Sequence, residues 1–172
     1  HFKKYLLQFK PFIIFVSMFF LAYIVLTLLY KFYLNGYQGE ELDTVTMITG
    51  NSSEQLLKFL NYDIIIQKSS QNPWREIILN GRFIARITEG CNAVSVMILF
   101  VSFVAAFSGN LKKTFWFIIL GLISIYILNV VRISLLIVLS YNFPQYGKFL
   151  HNIFFPLMIY GYVFVLWIFW IN

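Results

Sequence analysis

The sequence has few charged residues and is almost free of the residues that bind metals. Only 12% of its 172 residues are charged, which is about half the share found in a typical soluble domain. One cysteine and two histidines exclude a disulfide framework and any site built from several cysteines, so we expect neither a metal nor another cofactor. The single cysteine, Cys91, is therefore either a small apolar side chain or a reactive thiol.

Hydrophobic residues fill the chain instead. They make up 60% of it, and aromatic residues make up 20%, more apolar surface than a soluble domain could bury. Four apolar segments reach roughly the 20 residues needed to cross a membrane, namely residues 11–30, 92–108, 114–141 and 153–171. This pattern predicts an all-α polytopic membrane protein with about four transmembrane helices.

The first apolar segment is interpreted as a retained span rather than a cleaved signal peptide. It is about as long as a full membrane span, and no small-x-small cleavage pattern follows it. The net charge of +6 does not indicate nucleic acid, because the basic residues flank apolar segments rather than gather on one polar domain. Membrane headgroups are the simpler partner for them.

The lysines predict the orientation of the chain. They cluster before the first apolar segment and between the second and third, at Lys3, Lys4, Lys10, Lys112 and Lys113. The positive-inside rule then places both termini in the cytoplasm of a cell whose inner (cytoplasmic) membrane holds the protein. Residues 1–31 form the cytoplasmic N-terminus and first span, residues 32–90 an extracytoplasmic cap, and residues 91–172 a three-helix membrane core.

The cap segment contains all seven acidic residues and carries signals of its own structure. Ser52 and Gln55 match a capping box that would open a short helix. Residues 62–67 are typical of a strand. Asn80-Gly81 between residues 77–79 and 82–87 predicts a β-hairpin. We therefore expect a small mixed α/β insert between the first and second spans.

Cys91 comes directly before the second apolar segment. We expect it in the first turn of a helix that begins at the outer membrane surface, with Thr88 as a cap. The helix dipole and free backbone N–H groups would favour the thiolate there and could receive an oxyanion. The alternative is a cysteine that only packs.

Arg132 lies inside the third apolar segment, where a charge costs a few kcal/mol on insertion scales. Counting about 1.5 Å per residue from Thr114 places it roughly 27 Å along the helix, in the outer half of the bilayer. Asn129 lies on the same helical face and could orient the guanidinium or a substrate carbonyl. An arginine that reaches to the outer headgroups is the alternative.

His151 begins the fourth apolar segment, again on the outer side. Beside a thiolate and an arginine it could accept or donate a proton near neutral pH, although alone it fits an interfacial residue. Asn152 is expected to cap the fourth helix, with substrate binding as the alternative.

Arg82 and Arg86 alternate with apolar residues along the predicted hairpin strand. Exposure to solvent explains them most simply, and contact with a substrate carboxylate or a lipid headgroup is the sharper alternative. Glu89 could pair with either arginine or with Arg132, and its role stays open.

These residues resemble those of the exosortase and archaeosortase family. The matching elements are Glu89-Gly90-Cys91-Asn92-Ala93 opening a membrane helix, Asn129-Val130-Val131-Arg132 inside the next, and His151 opening the following one. The resemblance runs from about residue 82 to the C-terminus. With one span before the cap, the chain is most similar to the compact F-type exosortases of Bacteroidetes. It departs from the Ser-Gly that often follows the family's cysteine, which affects the oxyanion contacts.

The resemblance implies a cysteine peptidase or transpeptidase. Cys91 would be the nucleophile, Arg132 would stabilise the thiolate or oxyanion, and His151 would be the general acid and base. Residues expected to bind substrate or support the site are Asn129, Glu89, Asn92, Arg86 and Asn152. The implied substrates are exported proteins that end in a short motif, a transmembrane helix and a basic tail, transferred through a thioacyl-enzyme to a lipid or saccharide acceptor.

Two other functions fit the same residues. In a non-enzymatic scaffold or accessory subunit of an envelope assembly, Arg132 would pair with a partner helix and Cys91 would only pack. A transporter could use an intramembrane arginine to bind anions, but the sequence lacks the paired broken helices typical of that class.

Overall fold

The computed structural model describes residues 2–36, 44–68, 74–87, 93–107 and 109–172. The helices in these ranges are α1 (Phe2–Gln8), α2 (Lys10–Asn35), α3 (Thr44–Phe59), α4 (Val94–Ala106), α5 (Leu111–Asn142), α6 (Gly147–Phe149) and α7 (Phe155–Ile171). The strands are β1 (Ile64–Lys68), β2 (Arg75–Leu79) and β3 (Arg82–Ile87). A 3-10 turn, Pro144–Tyr146, and a π-helical turn, Leu150–Phe154, lie on either side of α6.

The chain is a mostly helical membrane protein with several apolar helices. Among the described residues, three helical stretches are long and apolar enough to cross a bilayer: α2, α5 and the stretch Pro144–Ile171 that ends in α7. The fourth predicted segment forms α4, which is apolar but has only 13 residues. The membrane class is confirmed, whereas the count of four spans is not.

The membrane bundle is centred on α4. Three of its buried side chains, Val96, Phe100 and Val104, share one core with Ile125 of α5 and with Ile159 and Val163 of α7. On another side of α4, Phe103 and Phe107 pack against Phe15 of α2, with ring centroids 5.7 and 4.3 Å apart. Short as it is, α4 therefore joins the first helix of the bundle to the last two.

The insert between α2 and α4 is the predicted mixed α/β cap. It consists of α3 followed by a three-stranded antiparallel sheet in the order β1-β2-β3. Asn80 and Gly81 both have positive φ, 52° and 80°, as a type I′ turn requires. The hairpin prediction is confirmed, and β1 agrees with the predicted strand within two residues.

The cap packs onto one end of α5. Its apolar core joins Leu57 of α3 and four sheet residues to Ile133 and Ile137 of α5; the sheet residues are Ile64, Ile77, Leu79 and Ile87. The 32 residues of α5 span about 48 Å, well beyond a hydrocarbon layer of about 30 Å. The last third of α5 thus belongs to the cap rather than to the membrane bundle.

One predicted boundary in the cap is wrong. The capping box placed a helix start at Ser52, but α3 begins at Thr44 and continues through Ser52. The Ser52 hydroxyl lies 2.7 Å from the hydroxyl of Tyr126 on α5, in a hydrogen bond between the two helices. Ser52 therefore connects α3 to α5 instead of capping a helix.

Candidate active site

The two apolar cores meet on α5 at the Asn129–Arg132 turn. Ile125 belongs to the bundle core and Ile133 to the cap core. Between them, Asn129 is fully buried at 0% exposure and Arg132 is half-buried. The structure thus places Arg132 where the cap meets the membrane bundle, and its depth in the bilayer stays a prediction.

Arg132 lines a cavity of about 630 Å³. This volume is within the range of small-ligand sites. Strand β3 forms one wall. A second wall is one face of α5, which carries Arg132, Leu136 and Ser140. The third contains Gly147 and His151. The cavity therefore lies between the hairpin, the cap end of α5 and the turns that lead into α7.

His151 lies on the π-helical turn Leu150–Phe154, with its imidazole exposed. Such turns occur frequently at functional sites. Among the described residues its side chain has no hydrogen-bond or ion-pair partner. The sequence separates His151 from Arg132 by a helix end and a loop, and the fold brings both onto one cavity.

The capping role expected of Asn152 is wrong. Asn152 follows His151 inside the π-helical turn, within a helical stretch that begins at Pro144. No side chain caps that turn or α7. Asn152 is exposed and is not among the residues that line the cavity.

Arg82 and Arg86 bring two more cations to the same cavity. The Arg86 guanidinium lies over the ring of Trp74, with its carbon 4.4 Å from the ring centroid. The Arg82 guanidinium lies 6.0 Å from the ring centroid of Tyr141. Among the described lining residues there is no aspartate or glutamate. The charged side chains among the described lining residues are therefore arginines.

Asn129 does not line the cavity. It is buried one helical turn before Arg132, so any effect on the reaction would act through the position of that guanidinium. Its expected contact with a substrate carbonyl has no support from this placement.

Cys91, Glu89 and Asn92 lie outside the described residues. The described chain stops at Ile87, which lines the cavity, and resumes at Ala93, which belongs to the bundle core. Ala93 has a left-handed φ of 58° and α4 begins at Val94. In sequence, the cysteine thus lies between a residue of the cavity wall and the first residue of the bundle core.

Sequence reasoning missed several residues of the cavity. Leu136 and Ser140 follow Arg132 at spacings of four and eight, so the helical repeat already placed them on its face. Trp74 and Tyr141, whose rings lie beside the two hairpin arginines without lining the cavity, gave no such signal. Their positions depend on how the sheet packs against α5.

Comparison with known proteins identifies one family. No curated protein and no solved structure shows a significant match to the chain. The family model described as transmembrane exosortase matches residues 7–171, which includes every element from α2 to α7. This family suggests a membrane transpeptidase of the cysteine peptidase class. Since the match covers nearly the whole chain, the protein belongs to the transmembrane exosortase family.

Proposed function

We propose that this protein is a membrane-embedded cysteine transpeptidase that cleaves a C-terminal sorting signal from exported proteins and transfers them to an acceptor. The observation that carries the proposal is the shared cavity of Arg132 and His151, whose wall includes Ile87, four residues before Cys91. Family membership supports the class of reaction.

Chain connectivity supports Cys91 as the nucleophile. Cys91 is two residues from Ala93, so covalent geometry keeps their Cα atoms within about 7 Å of each other. Ala93 is fixed in the bundle core, directly before α4. A thiol in this part of the chain is therefore within reach of the cap end of the bundle.

In the proposed reaction the Cys91 thiolate attacks the carbonyl carbon of the scissile peptide bond. Arg132 stabilises the oxyanion, and His151 gives a proton to the leaving amine as the C–N bond breaks. The thioacyl-enzyme then reacts with the acceptor nucleophile, which gives its proton to His151 while the thiolate leaves. Partial burial of Arg132 strengthens its interaction with the developing charge.

The proposed orientation places both termini in the cytoplasm and the cavity on the outer face of the inner membrane, with α4 as a fourth span. The lysines near the start of α2 and at the start of α5 support it, because they lie at the bundle end away from the cap. Within the family, the F-type assignment stays a prediction.

The test follows candidate substrates in cells, by size and by surface attachment. Cys91→Ser is expected to abolish processing, so that the uncleaved form accumulates. Arg132→Gln and His151→Gln are expected to slow processing by roughly 100-fold or more, the usual effect of losing an acid–base or oxyanion group. Arg75→Gln is the matched control, because Arg75 is a sheet arginine that does not line the cavity.

Unchanged processing in the Cys91→Ser protein would refute the enzyme proposal. If Arg132→Leu then disrupted a larger complex while Cys91→Ser did not, the scaffold alternative would be favoured.

A further inference from the structure

The cavity holds more positive charge than the proposed acyl transfer requires. Arg132 and His151 have roles in that reaction. Arg82 and Arg86 line the opposite wall, on β3, and neither has a step to perform. Their arrangement calls for an explanation of its own.

An aromatic ring lies near each hairpin arginine. Arg86 lies over Trp74 at 4.4 Å and Arg82 near Tyr141 at 6.0 Å. A guanidinium stacked on a ring keeps its N–H groups free at its edge, where they can bind a planar or tetrahedral anion through paired hydrogen bonds. The Trp74 ring thus partly orders Arg86 before any ligand arrives.

The described residues supply no carboxylate to neutralise these arginines inside the cavity. Glu76 lies across the strands from Arg86, but it does not line the cavity. The described ion pair, Lys58 with Glu54 at 2.9 Å, is on α3. An anion that entered the cavity beside β3 would therefore meet the guanidinium groups of Arg82 and Arg86.

The rest of the lining is largely apolar, and the cavity lies where the cap meets the membrane bundle, which the proposed topology puts at the membrane boundary. Ile84 and Leu136 contribute to this lining, and Arg132 marks the junction of the bundle and cap cores. Basic pockets at this level are suited to lipid headgroups, because an amphiphile places its phosphate among the cations and its apolar part against the wall. A free anion would leave the apolar wall unused.

We infer that the cavity binds the phosphate of an anionic membrane-lipid headgroup between Arg82 and Arg86. This binding is separate from the transfer reaction and does not require Cys91. It gives the hairpin a function, which is to close a headgroup site over the end of α5.

The test measures lipid binding to the purified full chain carrying Cys91→Ser, so that turnover plays no part. Phosphatidylglycerol and phosphatidylcholine with the same acyl chains are titrated in neutral detergent and followed by native mass spectrometry. We expect preference for phosphatidylglycerol. Adding Arg82→Gln and Arg86→Gln together should weaken its binding roughly 30-fold, as expected for two lost cations at an anionic headgroup.

Arg75→Gln is again the matched control, with the same loss of charge on the same sheet but outside the cavity, and it should leave binding unchanged. Melting temperatures without lipid establish that each variant is folded. The single variant Arg82→Gln, at the exposed strand end, should by itself weaken binding measurably.

Three results would overturn the inference. One is equal affinity for the two lipids, and another is an equal loss of binding in the Arg75→Gln protein. The third is displacement of phosphatidylglycerol by millimolar inorganic phosphate or by a short acidic peptide, which would assign the arginines to a soluble anion. None of these results bears on processing by Cys91, so this inference and the proposed function fail separately.

Discussion

At the residue scale, Gly121 sets how closely α4 and α5 approach. A Cβ atom at Gly121 would lie 2.3 Å from the Cζ atom of Phe100, and Phe100 is fully buried in the bundle core. A ring enclosed on all sides cannot move away without disturbing its neighbours. The absence of a side chain at Gly121 is therefore a packing requirement.

We expect Gly121→Ala to destabilise the protein by about 1–3 kcal/mol, the usual range for overpacking a core. Gly161→Ala on α7 is the control, since a Cβ there meets nothing within 4 Å, and its melting temperature should be unchanged or slightly raised. Adding Phe100→Leu to Gly121→Ala should recover part of the loss. Equal melting temperatures for the two alanine variants in detergent would contradict this account.

The sequence grouped Arg132 with His151 but gave little sign of which residues lie around them. Helix length predicted Arg132 on the outer side, and the start of the fourth apolar segment predicted His151 on the same side. The structure puts both on one cavity. Their chemical roles stay predictions, as does that of Cys91. The capping role of Asn152 was wrong because the helical stretch already begins at Pro144. The sequence between these two residues does not show that start.

At the element scale, sequence patterns predicted an element correctly where its conformation is determined locally, and failed where it depends on packing against distant residues. The Asn80-Gly81 hairpin was correct because two positive-φ residues determine it within the turn itself. The start of α3 was wrong because Ser52 resembles a cap in sequence, whereas its hydroxyl meets Tyr126, which is distant along the chain. No pattern within the cap could have identified that partner.

The Ser52–Tyr126 hydrogen bond offers a test of how α3 is held to α5. Tyr126→Phe and Ser52→Ala should each destabilise the protein by about 0.5–1.5 kcal/mol, the net contribution of one hydrogen bond. The double variant should lose little more than either single variant, because both remove the same bond. Denaturation in detergent measures all four proteins. Fully additive losses would show that the two hydroxyl groups act independently.

At the scale of the whole molecule, apolar segments identify a membrane protein more reliably than they give the number of its spans, and α5 shows why. One continuous apolar helix serves two environments, the bundle core around Ile125 and the cap core around Ile133 and Ile137. Hydrophobicity is the same in both, so the sequence could not show where the bilayer ends. The same ambiguity affects α4, whose 13 residues cover about 20 Å.

Whether α4 crosses the membrane decides the topology, and one pair of cysteines can test it. If α4 spans, with the bilayer thinning or flanking residues extending to meet it, the cap segment and Gly109 lie on opposite sides. A membrane-impermeant thiol reagent should then label the native Cys91 in intact spheroplasts. In a Cys91→Ser background, Gly109→Cys should be labelled only after permeabilisation. Gly109 tolerates the change because a Cβ there meets nothing within 4 Å. Labelling of both cysteines in intact spheroplasts would show that α4 does not cross. Labelling of Gly109→Cys alone would reverse the proposed orientation.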